Sequence, residues 1–129
     1  MATKKSGKFV RPRSKWVYPY KKEHPADKLK IRLMLNEKIK GDRIVGLRAR
    51  IEPHMVHRLH THKNEYVLVY SLGKCQVTVG TKTRTVFPHS LIFIPPMVPH
   101  RFYNRFSVPW EGIAFAIGTR RKIKNVWLE

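Results

Sequence analysis

The sequence predicts an all-β protein, either a β-sandwich or a β-barrel. Apolar and polar residues alternate with a period of two in several segments, as expected of half-buried strands. Turn-forming sequences that contain glycine, proline, asparagine or aspartate recur at intervals of about 8–12 residues. Almost no segment has helical periodicity. At 129 residues, the chain is long enough for one domain with a single core and too short for two.

The N-terminal region is strongly basic. The formal net charge of the chain is +19, from 27 lysines and arginines against 8 acidic residues. The candidates for contacts with nucleic-acid phosphates are Lys4, Lys5, Lys8, Arg11, Arg13 and Lys15. We expect residues 1–27 to form a basic extension and residues 28–129 to form the barrel domain. The extension could bind nucleic acid or another polyanion, or could be only a solvated arm.

Cysteine content and hydropathy indicate an intracellular protein. The only cysteine, Cys75, excludes an internal disulfide bond and is expected to be a small core residue. The basic N-terminus is not followed by the apolar run of a secretory signal peptide. No segment is long and apolar enough to span a bilayer. We therefore expect a cytoplasmic protein that does not contact membranes.

Two strands are predicted before the main histidine cluster. Residues Lys28–Leu35 alternate between apolar and basic, which fits a strand better than the competing helix. Residues Asn36–Asp42 end this strand, and Gly41–Asp42 form its turn. The second strand, Arg43–Ile51, has leucine, alanine and isoleucine on one face and arginines on the other. Pro53 ends it.

The segment His54–Gly73 contains four of the seven histidines and has strand-like alternation at its centre. His60 and His62 are two residues apart, so in a strand both imidazoles lie on one face. If the same strand continues, Val67 and Val69 lie on the opposite face. The residues that then share the histidine face are Tyr66, Leu68 and Tyr70. A strand that is apolar on both faces is buried on both faces, which places the two histidines in an interior.

The rest of the chain predicts further short strands. Cys75–Val79 and Thr83–Phe87 flank a turn at Gly80, Thr81 and Lys82 and are expected to form a hairpin. A continuous apolar run, Leu91–Ile94, is expected to be a fully buried strand. The last two predicted strands are Arg101–Phe106 and Ile113–Ile117.

A third histidine, His100, follows a turn between two prolines. Pro95 and Pro99 restrict the backbone there, so we expect the His100 side chain to be aimed rather than mobile. Pro95, His100 and Asn104 form a further group of residues that lies far from the histidine pair in sequence.

The two motifs resemble those of the cupins, a family of small double-stranded β-helix barrels of the jelly-roll type. His60, His62 and Gly73 match the first family motif, an H-x-H followed by glutamate and glycine. The second motif is P-x-G-x-x-H-x-x-x-N, and its matching residues are Pro95, His100 and Asn104. The resemblance covers roughly Arg43 to Gly118 and implies a jelly-roll barrel with a basic N-terminal extension.

The resemblance also implies a metal centre. Three imidazoles, those of His60, His62 and His100, would bind a divalent metal ion and leave positions open for water or substrate. The family's glutamate position is occupied by Tyr66, which could be a fourth ligand, a proton donor or a wall residue. Glu65 comes one residue too early and would reach the site only through a β-bulge.

Several other residues are given structural roles or depart from the motif. Met97 and His89 stand where the family usually has glycine. Asn104 is expected to make structural hydrogen bonds. His54 and His57 precede the ligand strand and are expected at the rim or on the surface.

The preferred functional hypothesis is a small-molecule metalloenzyme of oxygenase, isomerase or lyase type. Imidazole ligands do not distinguish iron, manganese, zinc, nickel and copper. The substrate would be anionic or rich in oxygen, and Arg48, Arg50 and Arg101 are the candidate substrate-binding residues. Tyr66 and Glu65 are the candidate catalytic residues.

Two alternative functions remain open at this point. One is a metal-free isomerase or epimerase of the sugar-nucleotide type, with a histidine as base and Tyr66 as acid. The other is a cupin without catalytic activity whose basic extension binds RNA or another polyanion. A homodimer is expected, because members of the family commonly pair and the apolar side of Lys28–Leu35 needs to be covered.

Overall fold

The computed structural model describes residues 7–11, 15–118 and 124–129 and confirms the all-β fold. Ten strands and no helix occur within these ranges. The strands are β1 (Lys30–Ile39), β2 (Asp42–Ile51), β3 (Val56–Thr61), β4 (Tyr66–Ser71), β5 (Cys75–Val79), β6 (Lys82–Val86), β7 (Leu91–Ile94), β8 (His100–Tyr103), β9 (Trp110–Ile117) and β10 (Val126–Trp127).

The strands form two antiparallel sheets of five strands each. The strand order is β1-β2-β9-β4-β7 in the first sheet and β10-β3-β8-β5-β6 in the second. Inward-facing side chains of both sheets share one apolar core, which includes Ile51, Val69, Ile94, Phe102 and Trp110. The jelly-roll arrangement implied by the resemblance is thereby confirmed.

The first hairpin is longer than predicted. Strand β1 continues to Ile39, four residues beyond the predicted end at Leu35, because a register shift between Leu33 and Leu35 restores pairing with β2. The polar residues after Leu35, which were predicted to end the strand, belong to it because β1 is an edge strand whose side chains meet solvent. The turn falls at Lys40 and Gly41, which both have positive φ.

The prediction that Leu91–Ile94 is fully buried was wrong. Ile92 and Ile94 face the core, whereas Leu91 and Phe93 are 65% and 57% exposed. An unbroken apolar run marks burial on both faces only when both faces are covered. Here the outer face of β7 is uncovered in the described chain.

The histidine segment forms two strands rather than one. Strand β3 ends at Thr61 in the second sheet, and β4 begins at Tyr66 in the first sheet. Side-chain alternation carries through a continuous strand only, so the intervening turn resets it. As a result Val67 and Val69 face the interior with the histidines, and the predicted assignment of faces on β4 was reversed.

Both ends of the described chain pack on this framework. Val17 pairs with Ile31 of β1, and β10 pairs with β3 through Val126 and Trp127. Of the basic extension, Lys8 forms an ion pair with Glu37, and Arg11 and Lys15 are exposed. Three of its candidate phosphate-binding residues lie outside the described residues: Lys4, Lys5 and Arg13. Within the described ranges, no helix is long and apolar enough to cross a membrane.

Candidate metal centre

Three histidines converge on one side of the barrel interior. His60 on β3 and His100 on β8 are paired residues of neighbouring antiparallel strands, and His62 follows directly after the end of β3. One ring nitrogen from each lies within 4.8 Å of the other two, and all three residues are buried. Two nitrogens bound about 2.1 Å from one metal ion are at most about 4.2 Å apart, so metal uptake needs only small side-chain movements.

The backbone orients two of these rings in the same way. His60 Nδ1 lies 2.7 Å from the carbonyl oxygen of Arg58, and His100 Nδ1 lies 2.9 Å from that of Val98. A carbonyl oxygen can only accept, so each Nδ1 carries the hydrogen and each Nε2 keeps its lone pair. In addition, the amide of Met97 donates to the carbonyl oxygen of His62 at 2.8 Å. The main chain thus connects the segments that supply the ligands.

Glu65 lies behind the third ring, in the turn between β3 and β4. Its Oε1 lies 3.5 Å from His62 Nδ1, a contact that does not make a hydrogen bond, and both residues are buried. Glu65 had been expected to face away from the site unless a β-bulge turned it inward, but it reaches the site because the strand ends before it. Within hydrogen-bond distance, a carboxylate in this position would orient a metal-binding imidazole and increase its basicity.

The three imidazoles are neutral in the folded protein. Burial, together with the neighbouring histidines, lowers the pKa of His60 to about 2 and that of His100 to about 3. The pKa of His62 is also lowered, first by burial and then by His57. Metal ions bind the neutral form of imidazole, so the site needs no deprotonation before it binds a metal near neutral pH.

Tyr66 is not part of the centre, which corrects its prediction as a ligand or catalytic acid. Its side chain is 51% exposed on the outer face of β4 and stacks on Phe93, with 6.1 Å between ring centroids. Among the described histidine, cysteine, aspartate and glutamate residues, the group that could hold one metal ion consists of His60, His62 and His100.

The three arginines predicted to bind substrate also lie outside the cavity. Arg48 and Arg50 bind Glu111, and Arg50 also binds Glu52 at 2.7 Å. They occupy the face of β2 opposite to the core residues. Arg101 lies on the outer side of β8, where its Nε donates to a carboxylate oxygen of Glu129 at 2.7 Å. These arginines are engaged by acidic residues on the surface.

His57 was predicted at the rim but is buried beside the centre. Its ring centroid lies 4.5 Å from that of His60. The pairing of β3 with β8 shifts between His57 and His60, so residues three apart both face inward. No feature of the sequence marks this irregularity, since alternation alone places them on opposite faces.

Asp27 holds His57 in place. Its buried carboxylate accepts hydrogen bonds from His57 Nδ1 at 2.9 Å, from the Arg58 amide at 2.7 Å and from the Leu29 amide at 3.1 Å. Burial opposes ionisation, but these hydrogen bonds outweigh it and hold the pKa of Asp27 below its ordinary value. Sequence reasoning missed this residue because its partners are about 30 positions away.

A cavity of about 100 Å³ adjoins the three histidines. Most of its wall is apolar and comes from the first sheet: Leu47, Ala49, Val67, Val69, Ala114 and Ala116. Besides the histidines, its polar wall residues are Tyr20 and Asn125, and no lysine or arginine of the described chain lines it. The site therefore has three potential metal ligands at one side and room for a compact apolar group at the other.

Two residues with predicted structural roles have them. Asn104 is fully buried and donates to the carbonyl oxygens of Ile51 and Val108, while its own oxygen accepts from the Phe106 amide. Cys75 is fully buried, and burial raises the pKa of its thiol to about 12. A thiol in this state is unreactive.

Comparison with known proteins agrees with the fold and the motif. Residues 47–115 match the family model described as a cupin domain. KdgF from a Halomonas species is similar in structure, with a TM-score of 0.71 and 14% identity over 89% of this chain and 96% of that chain. A cupin-2 domain protein from Rhodospirillum rubrum has a TM-score of 0.66 and 20% identity, over 88% and 81% of the two chains.

A protein from Thermotoga maritima described as a predicted oxalate decarboxylase has a TM-score of 0.61 and 17% identity, over 70% of this chain and 81% of that chain. At these identities the likeness establishes the fold and not the reaction. None of the curated proteins is similar enough in sequence to be matched. The family match spans more than half of the chain and contains all three histidines, so the protein belongs to the cupin family.

Proposed function

We propose that this cupin binds one divalent metal ion through His60, His62 and His100 and acts as a small-molecule metalloenzyme. The observation that supports this best is the convergence of three buried, neutral imidazoles, two of which have their Nδ1 hydrogens committed to backbone carbonyls. Burial of three imidazoles costs free energy of desolvation, and metal binding would offset that cost.

The chain's own residues set the conditions for chemistry at this centre. A bound metal ion would act as a Lewis acid that polarises a substrate oxygen or a water molecule. His60 and His100 would bind it from fixed ring orientations, and Glu65 would offset part of its charge through His62. The apolar walls of the cavity would exclude bulk water from the reacting group.

The metal-free isomerase alternative has less support. It required Tyr66 as the proton donor, and the Tyr66 ring lies on the outer face of β4. It also required arginines to hold a phosphorylated substrate, whereas Arg48, Arg50 and Arg101 bind surface carboxylates. The three-histidine metal site is therefore the better account of the interior.

The test is the metal content of the purified protein. Elemental analysis by inductively coupled plasma mass spectrometry, after purification without added metal and after loading with each candidate ion, should find one ion per chain. The variants His60→Ala and His100→Ala should bind that ion at least tenfold more weakly. Even the loss of a residue that only orients a metal ligand typically lowers metal affinity by about tenfold or more. His89→Ala, which alters a histidine outside the cavity, should bind like the parent.

The proposal fails if the parent and both ligand variants hold the same amount of metal. Circular dichroism and the thermal midpoint of each variant should be recorded with the metal content, so that loss of metal is not confused with loss of the fold. An activity screen is worthwhile only with the ion that loads stoichiometrically.

A further inference from the structure

The cavity has a second polar element besides the histidines, and it comes from the C-terminal segment. The side chain of Asn125 lines the cavity, and its Oδ1 and Nδ2 are both inaccessible to solvent. Within the described chain neither atom makes a hydrogen bond of good geometry; the amide lies near the Tyr20 hydroxyl, a contact that acts against the rise in the Tyr20 pKa, and has no other partner there. A buried amide that is satisfied at most by one hydroxyl retains an unused donor and acceptor, which points to a ligand that supplies partners.

Tyr20 contributes to the same part of the wall from the N-terminal side. Its ring stacks on His57 with 5.8 Å between centroids and an interplanar angle of 5°. Burial raises the pKa of the Tyr20 hydroxyl, and the neighbouring Asn125 amide opposes part of this shift. The hydroxyl is therefore protonated at neutral pH and available as a donor next to the amide.

The position of Asn125 is fixed by the strand that follows it. In β10, Val126 pairs with Thr61 and Trp127 pairs with His60. The Trp127 indole packs against His60 at 5.1 Å between centroids and donates to Glu23 at 2.9 Å. Both Tyr20 and Asn125 lie outside residues 47–115, so segments beyond the matched cupin region complete the cavity.

Charge and size restrict what the cavity can hold. A divalent ion bound by three neutral imidazoles would keep its positive charge and attract an anionic oxygen of a ligand. No lysine or arginine of the described chain lines the cavity, so a second anionic group would find no partner there. An apolar cavity of about 150 Å³ holds benzene, which sets the scale for a cavity of about 100 Å³.

We propose that Asn125 and Tyr20 form a hydrogen-bonding subsite for the distal end of the substrate. The ligand is a small monoanion whose carboxylate or enolate oxygen binds the metal ion. Its carbon skeleton contacts the apolar wall, and an uncharged carbonyl or hydroxyl at its far end bonds to the Asn125 amide and the Tyr20 hydroxyl. This inference rests on the proposed metal site and excludes dianions and phosphorylated sugars as preferred ligands.

The experiment compares two monocarboxylates of similar length that differ in the distal group. Levulinate carries a ketone near its far end, and pentanoate lacks it. Both are titrated against the Co²⁺-loaded protein, with the visible absorption of Co²⁺ as the readout for binding. We expect levulinate to bind about 3–10 times more tightly, as one or two hydrogen bonds would give. Succinate, with a second carboxylate, should bind more weakly than either.

Variants assign the preference to the subsite. Asn125→Leu should reduce the preference for levulinate over pentanoate to less than about twofold and leave metal content unchanged. Tyr20→Phe should reduce it in part. Asn36→Leu, which changes an asparagine on β1 outside the cavity, should behave like the parent. In the Zn²⁺-loaded protein, levulinate should shift the Asn125 side-chain amide resonances in ¹⁵N spectra.

The two proposals fail in different ways. If the protein takes up no metal, the proposed function and this inference are both overturned. If metal binds stoichiometrically but levulinate and pentanoate have equal affinities, or if Asn125→Leu retains the preference, only the subsite is overturned. Tighter binding of succinate than of levulinate would also refute it, because it would require a cation in the cavity wall.

Discussion

His60, His62 and His100 are individual residues whose burial affects the stability of the whole fold. All three are buried and have lowered pKa values, chiefly because the imidazolium form would lose its hydration. In the unfolded chain the same side chains titrate at their ordinary value, near 6.5. Below that pH the unfolded state binds protons that the folded state does not, so acid favours unfolding.

The metal-free protein should therefore lose stability as the pH falls from about 6.5 toward the lowered pKa values. Each histidine contributes up to about 1.4 kcal/mol per pH unit within this range. Urea denaturation at pH 7.5, 6.5 and 5.5 would measure the slope. The variant His60→Gln/His100→Gln should have a clearly shallower pH dependence. A free energy of unfolding that does not change from pH 7.5 to 5.5 would contradict the burial of neutral imidazoles.

Met97 and His89 show how a residue can depart from a family motif without changing the backbone. Both occupy motif glycine positions, and both have the positive φ that glycine adopts easily, 70° for Met97 and 73° for His89. The departure had been identified in the sequence, but its consequence had not. Side chains at such angles store roughly 1–3 kcal/mol of strain.

Met97→Gly should stabilise the protein by about 0.5–1 kcal/mol, because the Met97 side chain is exposed and little packing is lost. Met97→Ala is the matched control, since it removes the side chain beyond Cβ but keeps the Cβ that strains the backbone at this angle. Thermal or urea denaturation of the three proteins would rank them. Equal stability of the glycine and alanine variants would exclude strain as the cause.

At the scale of elements, the sequence identified most strands but not the sheet to which each belongs. The hairpin β5–β6 and the strands β2 and β9 fall near their predicted positions because their alternation is uninterrupted. The spacing of His60 and His62 also predicted them as neighbours, and the resemblance to the cupin motifs added His100. The position of Tyr66 was wrong because the alternation was carried across a turn that is not visible in the residue pattern.

Other parts of the site depend on contacts between distant segments. Tyr20 and Asn125 reach the cavity, and Asp27 reaches His57, through contacts of the terminal segments that no local periodicity encodes. The shift in register that buries His57 is likewise a property of two paired strands. Local patterns and the family motifs therefore predicted the three converging histidines better than the remainder of the cavity wall.

Strand β9 contains a glycine that makes room for a large core residue. A Cβ atom at Gly112 would lie 2.7 Å from the Trp110 ring and 3.1 Å from the backbone oxygen of Tyr70. The Trp110 ring is buried, lines the cavity and donates from Nε1 to Ser71 Oγ at 2.9 Å. Any side chain at position 112 must displace this ring.

Gly112→Ala should lower the free energy of unfolding by about 1–3 kcal/mol through overpacking. Gly73→Ala is the control, because its Cβ would lie at an ordinary 3.6 Å from the same Trp110 ring. We expect that variant to change stability by less than about 1 kcal/mol. Urea denaturation followed by tryptophan fluorescence would compare them, and an unaffected Gly112 variant would show that Trp110 adjusts freely.

For the whole molecule, the net charge of +19 is the most prominent property that the metal centre leaves unexplained. Binding of nucleic acid stays a prediction. Removal of residues 1–22 would be a poor test of it, because Tyr20 lines the cavity and Val17 pairs with β1. Removal of residues 1–14 deletes five basic residues and spares these contacts.

If the extension binds single-stranded RNA, removal of residues 1–14 should lower the affinity for RNA and make that affinity less dependent on salt concentration. The slope of log Kobs against log salt concentration should become shallower by about 3–4 if all five residues contact phosphates. Fluorescence anisotropy with a labelled oligonucleotide between 50 and 200 mM salt would measure it. The double variant Lys82→Gln/Arg84→Gln on β6 is a control for charge on the body, and identical slopes for parent and truncation would exclude the role of the extension.

Dimer formation also stays a prediction, and the structure suggests where it would occur. Exposed apolar side chains form a continuous outer patch on the first sheet, made up of Tyr66, Leu91, Phe93 and Ile117. Patches of this kind commonly mark interfaces. Light scattering should find a dimer for the parent and for Phe87→Glu, and a monomer for Phe93→Glu. A monomeric parent protein would refute the prediction.

The hydrogen bond from the Met97 amide to the His62 carbonyl oxygen has a consequence for how this barrel tolerates change. It belongs to the main chain, so any amino acid other than proline at position 97 can make it. An inserted or deleted residue between Ile94 and His100, by contrast, would put the amide out of reach and separate two of the three imidazoles. The length of that loop, more than its composition, is what keeps the three imidazoles together.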